Sequence, residues 1–258
     1  MSRFELISYP DAEALAQAAA REWVRDLDVG TRSRSAPAHS GEGGDRAERY
    51  CVALSGGRIA RRFFAAVAAL GRHPFPRVSY SLLLNRVHFF WGDERCVPAQ
   101  DPESNFGLAQ QLLLQPLGIP EAQIHRIAGE APPAVAAAHA QAELCRLAPL
   151  SADGQPVLDL VFLGMGEDGH VASLFPGECS ELIANPAVFR PVIAAKPPAH
   201  RVSLGYPAIV AARQVWVLAS GSGKQEALRQ SLAPDGQTPL ARVLQLRSRT
   251  RILTDIAL

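Results

Sequence analysis

Apolar residues of this chain are concentrated in short continuous runs that alternate little with polar residues. Four such runs, rich in Val, Leu or Phe, cover residues 50–54, 86–91, 157–163 and 214–219. Runs of this length and composition are typical of strands that are buried on both faces, as in a parallel sheet. The pattern therefore predicts four buried strands of a mainly parallel sheet.

Helical patterns separate these runs. We expect helices over residues 11–27, 58–70, 104–114, 134–147 and 224–232. The first is amphipathic, with Asp11 positioned as its N-cap. Strand, glycine-rich or polar turn, and helix follow one another repeatedly, which predicts an α/β fold: a doubly wound, mostly parallel sheet with helices on both faces. In such sheets ligands bind beyond the carboxyl ends of the strands, so the residues that follow each run form the candidate site.

Composition limits the possible partners. The chain has 258 residues, 48% of them apolar, and a formal net charge of +1. These values fit a single domain over 1–258 and give no reason to expect nucleic acid or a membrane as partner. Residues 30–48 are rich in Gly, Ser and Arg without periodicity, and we expect a flexible loop there. A monomer or small homo-oligomer is expected.

Two further features favour a soluble cytoplasmic protein. No apolar run approaches the roughly 20 residues that cross a bilayer, and the first residues contain acids rather than an apolar signal core. The four cysteines are far apart in the sequence, so we expect reduced thiols rather than a disulfide framework or a zinc site.

The stretch "GMGEDGHVASLFPG", residues 164–177, follows the third run and matches the spacing of a dinucleotide-binding turn. Three features oppose that interpretation. Asp168 would place negative charge beside a pyrophosphate, Pro176 and Gly177 would end any following helix, and no acid lies about 20 residues further on. We therefore interpret the stretch as a catalytic loop.

Asp168 and His170 are the candidate catalytic pair in this loop. A carboxylate near an imidazole orients the ring and holds its tautomer, and such a histidine can act as a general base on water. The alternative is a histidine that only stabilises the turn. His170 lies in a glycine-rich strand end, two residues from an acid, and this position favours the catalytic role.

Three other strand ends supply groups that bind a phosphorylated small molecule. The Ser55-Gly56-Gly57 turn and Arg58 begin a helix, whose free N–H groups suit phosphate. Lys224 also stands at a helix start, where a cation is unfavourable unless an anion compensates it. Leu218 and Gln225 exclude a nucleotide P-loop there. The alternative for the Ser55-Gly56-Gly57 segment is a tight turn without a ligand, and the alternative for Lys224 is an ordinary surface lysine.

The third strand end, after residues 86–91, reads Gly-Asp-Glu-Arg. Asp93 can bond sugar hydroxyls and Arg95 can bind phosphate, although the two could instead pair with each other at the surface. Neither a nucleophile elbow nor a metal-binding histidine motif is present, so no metal and no cofactor are expected. The residues alone thus favour metal-free hydrolysis or proton-transfer isomerisation of a polar small molecule that carries a phosphate.

Four segments resemble the 6-phosphogluconolactonase family: "VALSGG", "FFWGDERCVPAQDPESNFGLAQQLLL", "LDLVFLGMGEDGHVASLFPG" and "RVSLGYPAIVAARQVWVLASGSGKQEAL". This family is similar in fold to the glucosamine-6-phosphate isomerase/deaminase group. The resemblance implies hydrolysis of 6-phospho-D-glucono-1,5-lactone to 6-phospho-D-gluconate in the oxidative pentose phosphate pathway. It implies that His170 activates water beside Asp168, that Arg95 and Lys224 hold the phosphate, and that Asp93 and the Ser55-Gly56-Gly57 turn line the pocket.

The chain departs from the family pattern at two places. Ile59 and Ala60 replace a usual Thr-Pro, which puts one phosphate contact in doubt, and the 30–48 loop is longer than typical. The alternative activity is that of an amino-sugar phosphate isomerase/deaminase. Those proteins continue Asp-Gly-His towards a second acid, whereas this chain continues with Val171 to Phe175. A non-catalytic sugar-phosphate sensor is a third possibility, which the intact Asp168–His170 pair disfavours.

Overall fold

The computed structural model describes residues 4–33, 49–72 and 84–258 of the chain. Its strands are β1 Phe4–Ser8, β2 Tyr50–Leu54, β3 Val87–Trp91, β4 Asp93–Arg95, β5 Leu160–Gly164, β6 Phe189–Ile193, β7 His200–Leu204, β8 Gln214–Ala219 and β9 Thr250–Thr254. Its α-helices are α1 Ala12–Ser33, α2 Arg58–Arg72, α3 Asn105–Ala109, α4 Pro133–Leu147, α5 Ser180–Ile183, α6 Tyr206–Ala211, α7 Gln225–Leu232 and α8 Pro239–Leu246. A π-helical segment, Gln110–Leu114, extends α3, and short 3-10 turns span Glu121–Gln123 and Ser222–Lys224.

The predicted α/β architecture is confirmed. Six strands form a sheet in the order β1-β9-β8-β5-β2-β3, and every neighbouring pair is parallel. Consecutive residues of the central strands are buried, so both faces of the sheet are covered. None of the helices in the described ranges is long and apolar enough to span a bilayer.

The first helix is longer than the sequence pattern predicts. It continues to Ser33, so residues 30–33, the start of the predicted flexible loop, are helical. Residues 34–48, the remainder of that loop, lie outside the described residues.

An aromatic cluster joins the helices to one face of the sheet. The Phe162 ring of β5 lies 4.6 Å from the Phe63 ring of α2, 5.6 Å from Trp23 of α1 and 5.7 Å from Trp216 of β8, between ring centroids. Each of these residues is almost completely buried. Because aromatic side chains bury large apolar areas, this cluster fixes α1 and α2 against the strands that carry the site.

The strand order reverses between β2 and β5. The chain runs from β2 outward to β3 on one side, then returns to β5 on the other side of β2 and continues to β8. The pairing of β2 with β5 joins Val52 to Leu160 and Ala53 to Val161 and then ends. The pairing of β2 with β3 continues as far as Leu54. Ligand crevices of open α/β sheets lie at such a reversal, outside the carboxyl ends of the strands.

A second, antiparallel sheet of the order β4-β7-β6 forms beside the first. It begins where β3 ends: the Gly92 N–H donates to Leu54 O at 2.7 Å, and Gly92 O accepts from the Leu204 N–H at 2.8 Å. The Asp93–Arg95 segment is therefore a strand and not only a strand-end loop. This sheet forms one wall of the crevice at the reversal point.

Candidate active site

A cleft of about 1220 Å³ lies at the carboxyl edge of the parallel sheet. Every site residue predicted from the sequence lines it: Ser55, Gly56, Gly57, Arg58, Asp93, Arg95, Asp168, His170 and Lys224. These residues come from the ends of β2, β3, β5 and β8. The structure thus brings together in one cavity the groups that the strand-end argument proposed.

Asp168 and His170 form a hydrogen-bonded pair in the loop after β5. His170 Nδ1 lies 2.5 Å from Asp168 Oδ1, and the His170 backbone N–H donates to the same oxygen at 3.1 Å. Partial burial raises the pKa of Asp168, but these hydrogen bonds and the His170 charge outweigh it and hold this pKa below its ordinary value. The carboxylate therefore stays ionised and orients the imidazole, with Nδ1 as the ring nitrogen that donates to it.

The loop closes tightly around this pair. Gly166 N–H donates to His170 O at 2.9 Å. A Cβ at Gly166 would lie 2.0 Å from His170 Nδ1 and 2.7 Å from Asp168 Oδ1. Only glycine leaves room for the two side chains to meet at this position.

Asp93 is buried at the floor of the cleft, and its carboxylate is held by neighbouring side chains. Ser173 Oγ donates to Asp93 Oδ2 at 2.7 Å, and Asn105 Nδ2 lies 3.3 Å from Asp93 Oδ1. A Cβ at Gly56 would lie 1.8 Å from Asn105 Oδ1, so the glycine turn after β2 depends on this close approach. Asn105 thereby connects the β2 turn to Asp93.

Glu94 points away from the cleft and anchors α3. Its carboxylate accepts from the backbone N–H groups of Arg95, Asn105 and Phe106 at 2.7 to 2.8 Å, and from Ser104 Oγ at 3.1 Å. Burial raises the pKa of Glu94 to about 7, and the backbone hydrogen bonds oppose this rise. Glu94 therefore positions the segment that carries Asn105.

One pair of cations lies at the parallel sheet. Arg58 begins α2 directly after the Ser55-Gly56-Gly57 turn, and its Nη2 lies 4.0 Å from Glu167 Oε1. Lys224 immediately precedes α7, as the sequence predicts. Burial lowers the pKa of Lys224, and the Arg58 charge lowers it further. An anion bound between the two cations would compensate for both effects.

The Ser55 side chain connects two strands of the parallel sheet. The Ser55 hydroxyl is buried and donates to Phe162 O at 2.8 Å, which bridges β2 and β5 where their register ends. The hydroxyl thereby holds the β2 turn against β5 at the base of the cleft.

A second pair of cations lies on the antiparallel sheet, and sequence reasoning identified only one of them. Arg95 of β4 is directly opposite Arg201 of β7. Arg95 Nη1 donates to Glu103 O at 2.6 Å and to Glu103 Oε2 at 3.1 Å. Burial lowers the pKa of the Arg201 guanidinium, and the Arg95 charge adds to this effect. Arg201 begins one of the four segments that carry the resemblance, but no local pattern gave it a role, because only the β4–β7 pairing brings it to the cleft.

Phe175 links this second pair to the catalytic loop. Its ring centroid lies 4.9 Å from the His170 ring, and Arg201 Cζ lies over the same ring at 5.6 Å from its centroid. This arrangement is a cation–π contact on one side of a residue that also packs against the imidazole. In the sequence, Phe175 was notable only as the end of the segment that lacks a second acid.

A family model described as "Glucosamine-6-phosphate isomerases/6-phosphogluconolactonase" matches residues 10–252. A 6-phosphogluconolactonase of Streptomyces coelicolor is 35% identical over 261 residues, covering 98% of this chain and 92% of the relative.

Solved structures of proteins from both groups in that family description are also similar to this chain. The 6-phosphogluconolactonase of Trypanosoma brucei is 27% identical with a TM-score of 0.77, covering 98% of this chain and 96% of that one. A monomeric glucosamine-6-phosphate deaminase is 17% identical with a TM-score of 0.72, covering 97% of this chain and 96% of that one. The second likeness concerns the fold alone, so the fold does not separate the lactonases from the deaminases.

Proposed function

Because this chain belongs to the glucosamine-6-phosphate isomerase/6-phosphogluconolactonase family, we propose that it hydrolyses 6-phospho-D-glucono-1,5-lactone to 6-phospho-D-gluconate. This reaction would place it in the oxidative pentose phosphate pathway. The observation that carries the proposal is the Asp168–His170 pair, 2.5 Å apart, in a cleft that also contains two pairs of cations.

In the proposed mechanism His170 is the general base. The hydrogen bond from Nδ1–H to Asp168 leaves Nε2 as the nitrogen that accepts a proton from water. The hydroxide oxygen forms a bond to C1 of the lactone, and the carbonyl oxygen becomes an oxyanion. The C1–O5 bond then breaks, O5 takes the proton from Nε2, and the new carboxylic acid ionises. A positioned base of this kind contributes about 10²–10⁴-fold to the rate.

The phosphate is assigned to Lys224, Arg58 and the glycine turn. The Arg58 charge contributes to the lowered pKa of Lys224, and the first turn of α2 presents free N–H groups. Arg95, which the resemblance pairs with Lys224 as a phosphate ligand, lies on the antiparallel sheet beside Arg201. We therefore assign Arg95 to the lactone end of the substrate.

The surroundings of His170 favour hydrolysis over the isomerase/deaminase alternative. Ring opening and isomerisation of an amino sugar need further proton transfers, for which the related deaminases carry a second acid after Asp-Gly-His. Here the corresponding segment places the apolar Phe175 ring against the imidazole. This contact supplies no proton, which supports hydrolysis of the lactone by water with a single general base.

The test compares the wild-type protein with His170→Ala and Lys224→Ala. We expect freshly prepared 6-phosphogluconolactone to release acid above its spontaneous rate, with the rate unchanged by a chelator. His170→Ala should lower kcat at least about 10²-fold with little change in 6-phosphogluconate affinity, whereas Lys224→Ala should chiefly raise KM. Glucosamine 6-phosphate, assayed in parallel for ammonia release, should give no turnover.

Two results would contradict the proposal. Wild-type lactonase rates in His170→Ala would remove this residue as the base. Ammonia release from glucosamine 6-phosphate without lactone hydrolysis would favour the deaminase alternative.

A further inference from the structure

We propose that Lys196 is a substrate-contacting residue that binds the carboxylate formed at the lactone end, while Lys224 serves the phosphate end. The inference rests on the proposed function, because it takes 6-phosphogluconate as the product. Lys196 follows β6 in the antiparallel sheet and lines the same cleft as His170.

The use of lysine in this chain singles out two positions. Of the 26 basic residues, only Lys196 and Lys224 are lysines, and both line the cleft. Lysine carries a compact charge with three rotatable donors on a flexible stem, whereas arginine presents a rigid planar fork. A compact, mobile cation suits an anion that appears only during the reaction.

The turn that carries Lys196 is held in a defined position. Ala194 N–H donates to Ala199 O at 2.7 Å and closes the turn. Arg201 Nε donates to Pro198 O at 3.1 Å, and Arg201 Nη2 donates to Lys196 O at 3.4 Å. The backbone of Lys196 is therefore fixed from below by a buried guanidinium, and its side chain is exposed at the cleft.

The same guanidinium connects this turn to the catalytic loop. Arg201 lies over the Phe175 ring, and the Phe175 ring packs against His170. Contacts thus run without interruption from the imidazole to the Lys196 backbone. Lys224 follows β8 of the other sheet, where Arg58, Glu167 and Asp255 are its charged neighbours. This difference assigns Lys196 to the reacting end of the cleft.

The other cations at that end are already engaged. Arg95 is paired with the carboxylate and carbonyl of Glu103, and Arg201 is bonded to two carbonyl groups of the turn. Within the described part of the chain, no hydrogen bond or ion pair occupies the Lys196 ammonium. Among these three cations, Lys196 is therefore the one that can turn all of its donors towards a new carboxylate.

The experiment measures binding, independently of turnover, by calorimetry with two ligands. 6-Phosphogluconate carries a carboxylate and a phosphate, whereas glucitol 6-phosphate carries the phosphate alone. Lys196→Ala should weaken 6-phosphogluconate binding about tenfold and leave glucitol 6-phosphate within about twofold, because one charged contact is lost. Lys224→Ala should weaken both ligands by similar factors, and Lys196→Arg should recover part of the loss.

Arg229→Ala is the matched control, because it removes one positive charge from an exposed position on α7 that does not line the cleft. It should leave both affinities within about twofold. An equal loss for both ligands in Lys196→Ala, or no loss for either, would overturn the assignment.

Failure of the proposed function is a separate outcome. A wild-type protein that lacks lactone hydrolysis, but whose Lys196→Ala variant selectively loses 6-phosphogluconate binding, would refute the activity and keep the carboxylate contact. Normal hydrolysis without selective loss would keep the activity and refute the contact.

Discussion

At the scale of single residues, the site depends on close approach rather than on charge alone. The Asp168–His170 hydrogen bond passes through the space that a side chain at residue 166 would fill. Gly56 has the same relation to Asn105 at the neighbouring turn. Two glycines that the sequence places in strand-end turns therefore act by leaving room for functional side chains.

Gly166→Ala tests this argument. The added Cβ would lie 2.0 Å from His170 Nδ1, so the imidazole and the Asp168 carboxylate must separate. We expect kcat for lactone hydrolysis to fall about 10²-fold, because the base loses its orientation. Steady-state kinetics measures this change.

Gly223→Ala provides the control for the same substitution. Its added Cβ would meet Glu167 Oε1 at 3.6 Å, an ordinary contact, and Gly223 does not line the cleft. Its kcat should remain within about threefold of wild type, since no atom must move. An active Gly166→Ala enzyme would show that the Asp168–His170 hydrogen bond is not needed for catalysis.

At the scale of elements, the short helix α3 is tied to β4 by one buried carboxylate. Glu94 accepts from the backbone N–H groups of Asn105 and Phe106 at the start of α3. These donors would otherwise lack intrahelical partners. The pairing sets the position of Asn105 and, through it, of Asp93.

The raised pKa of Glu94 predicts a pH-dependent contribution to stability. Since burial raises this pKa from 4.5 to about 7, the folded state binds the proton more tightly than the unfolded state, and stability is lost as pH rises through this window. Relative to Glu94→Gln, the wild type should lose about 2–3 kcal/mol of unfolding free energy between pH 5 and pH 8.

Urea unfolding of both proteins at the two pH values measures this loss. The other titrating groups are common to the two proteins and cancel in the comparison. A free-energy difference between wild type and Glu94→Gln that is the same at both pH values would show that Glu94 ionises normally in the folded state.

At the scale of the whole molecule, the aromatic cluster connects the helices to the sheet behind the site. Phe162 contacts Trp23, Phe63 and Trp216, which belong to three different elements. Its backbone carbonyl also accepts the Ser55 hydroxyl at the base of the cleft. Packing on one face of the sheet thus supports the geometry at its carboxyl edge.

Phe162→Ala should lower the free energy of unfolding by about 3–5 kcal/mol, because it removes a buried ring and leaves a cavity between helices and sheet. Val135→Ala, at an exposed position of α4, should change it by less than about 0.5 kcal/mol. Chemical denaturation of the purified proteins distinguishes the two. A loss below about 1 kcal/mol in Phe162→Ala would mean that the cluster contributes little to stability.

The elements that sequence reasoning recovered are those with strong local signals. Strands β2, β3, β5 and β8 are continuous apolar runs, and the helices that accompany them have clear periodicity. Sequence reasoning missed β1 and β9, which pair at one side of the parallel sheet, and it missed the whole antiparallel sheet. In that sheet β6 contains Pro191 and β7 begins with His200 and Arg201, so neither reads as an apolar strand.

The sequence by itself determined the strand-end residues of the cleft, because each motif is contiguous and its turn chemistry is local. Asp168 and His170 are two residues apart, and Lys224 immediately precedes its helix. The tertiary structure alone decided that Arg201 lies opposite Arg95, that Phe175 joins Arg201 to His170, and that Lys196 shares their cleft. These relations depend on strand pairing between distant segments, which no local pattern encodes.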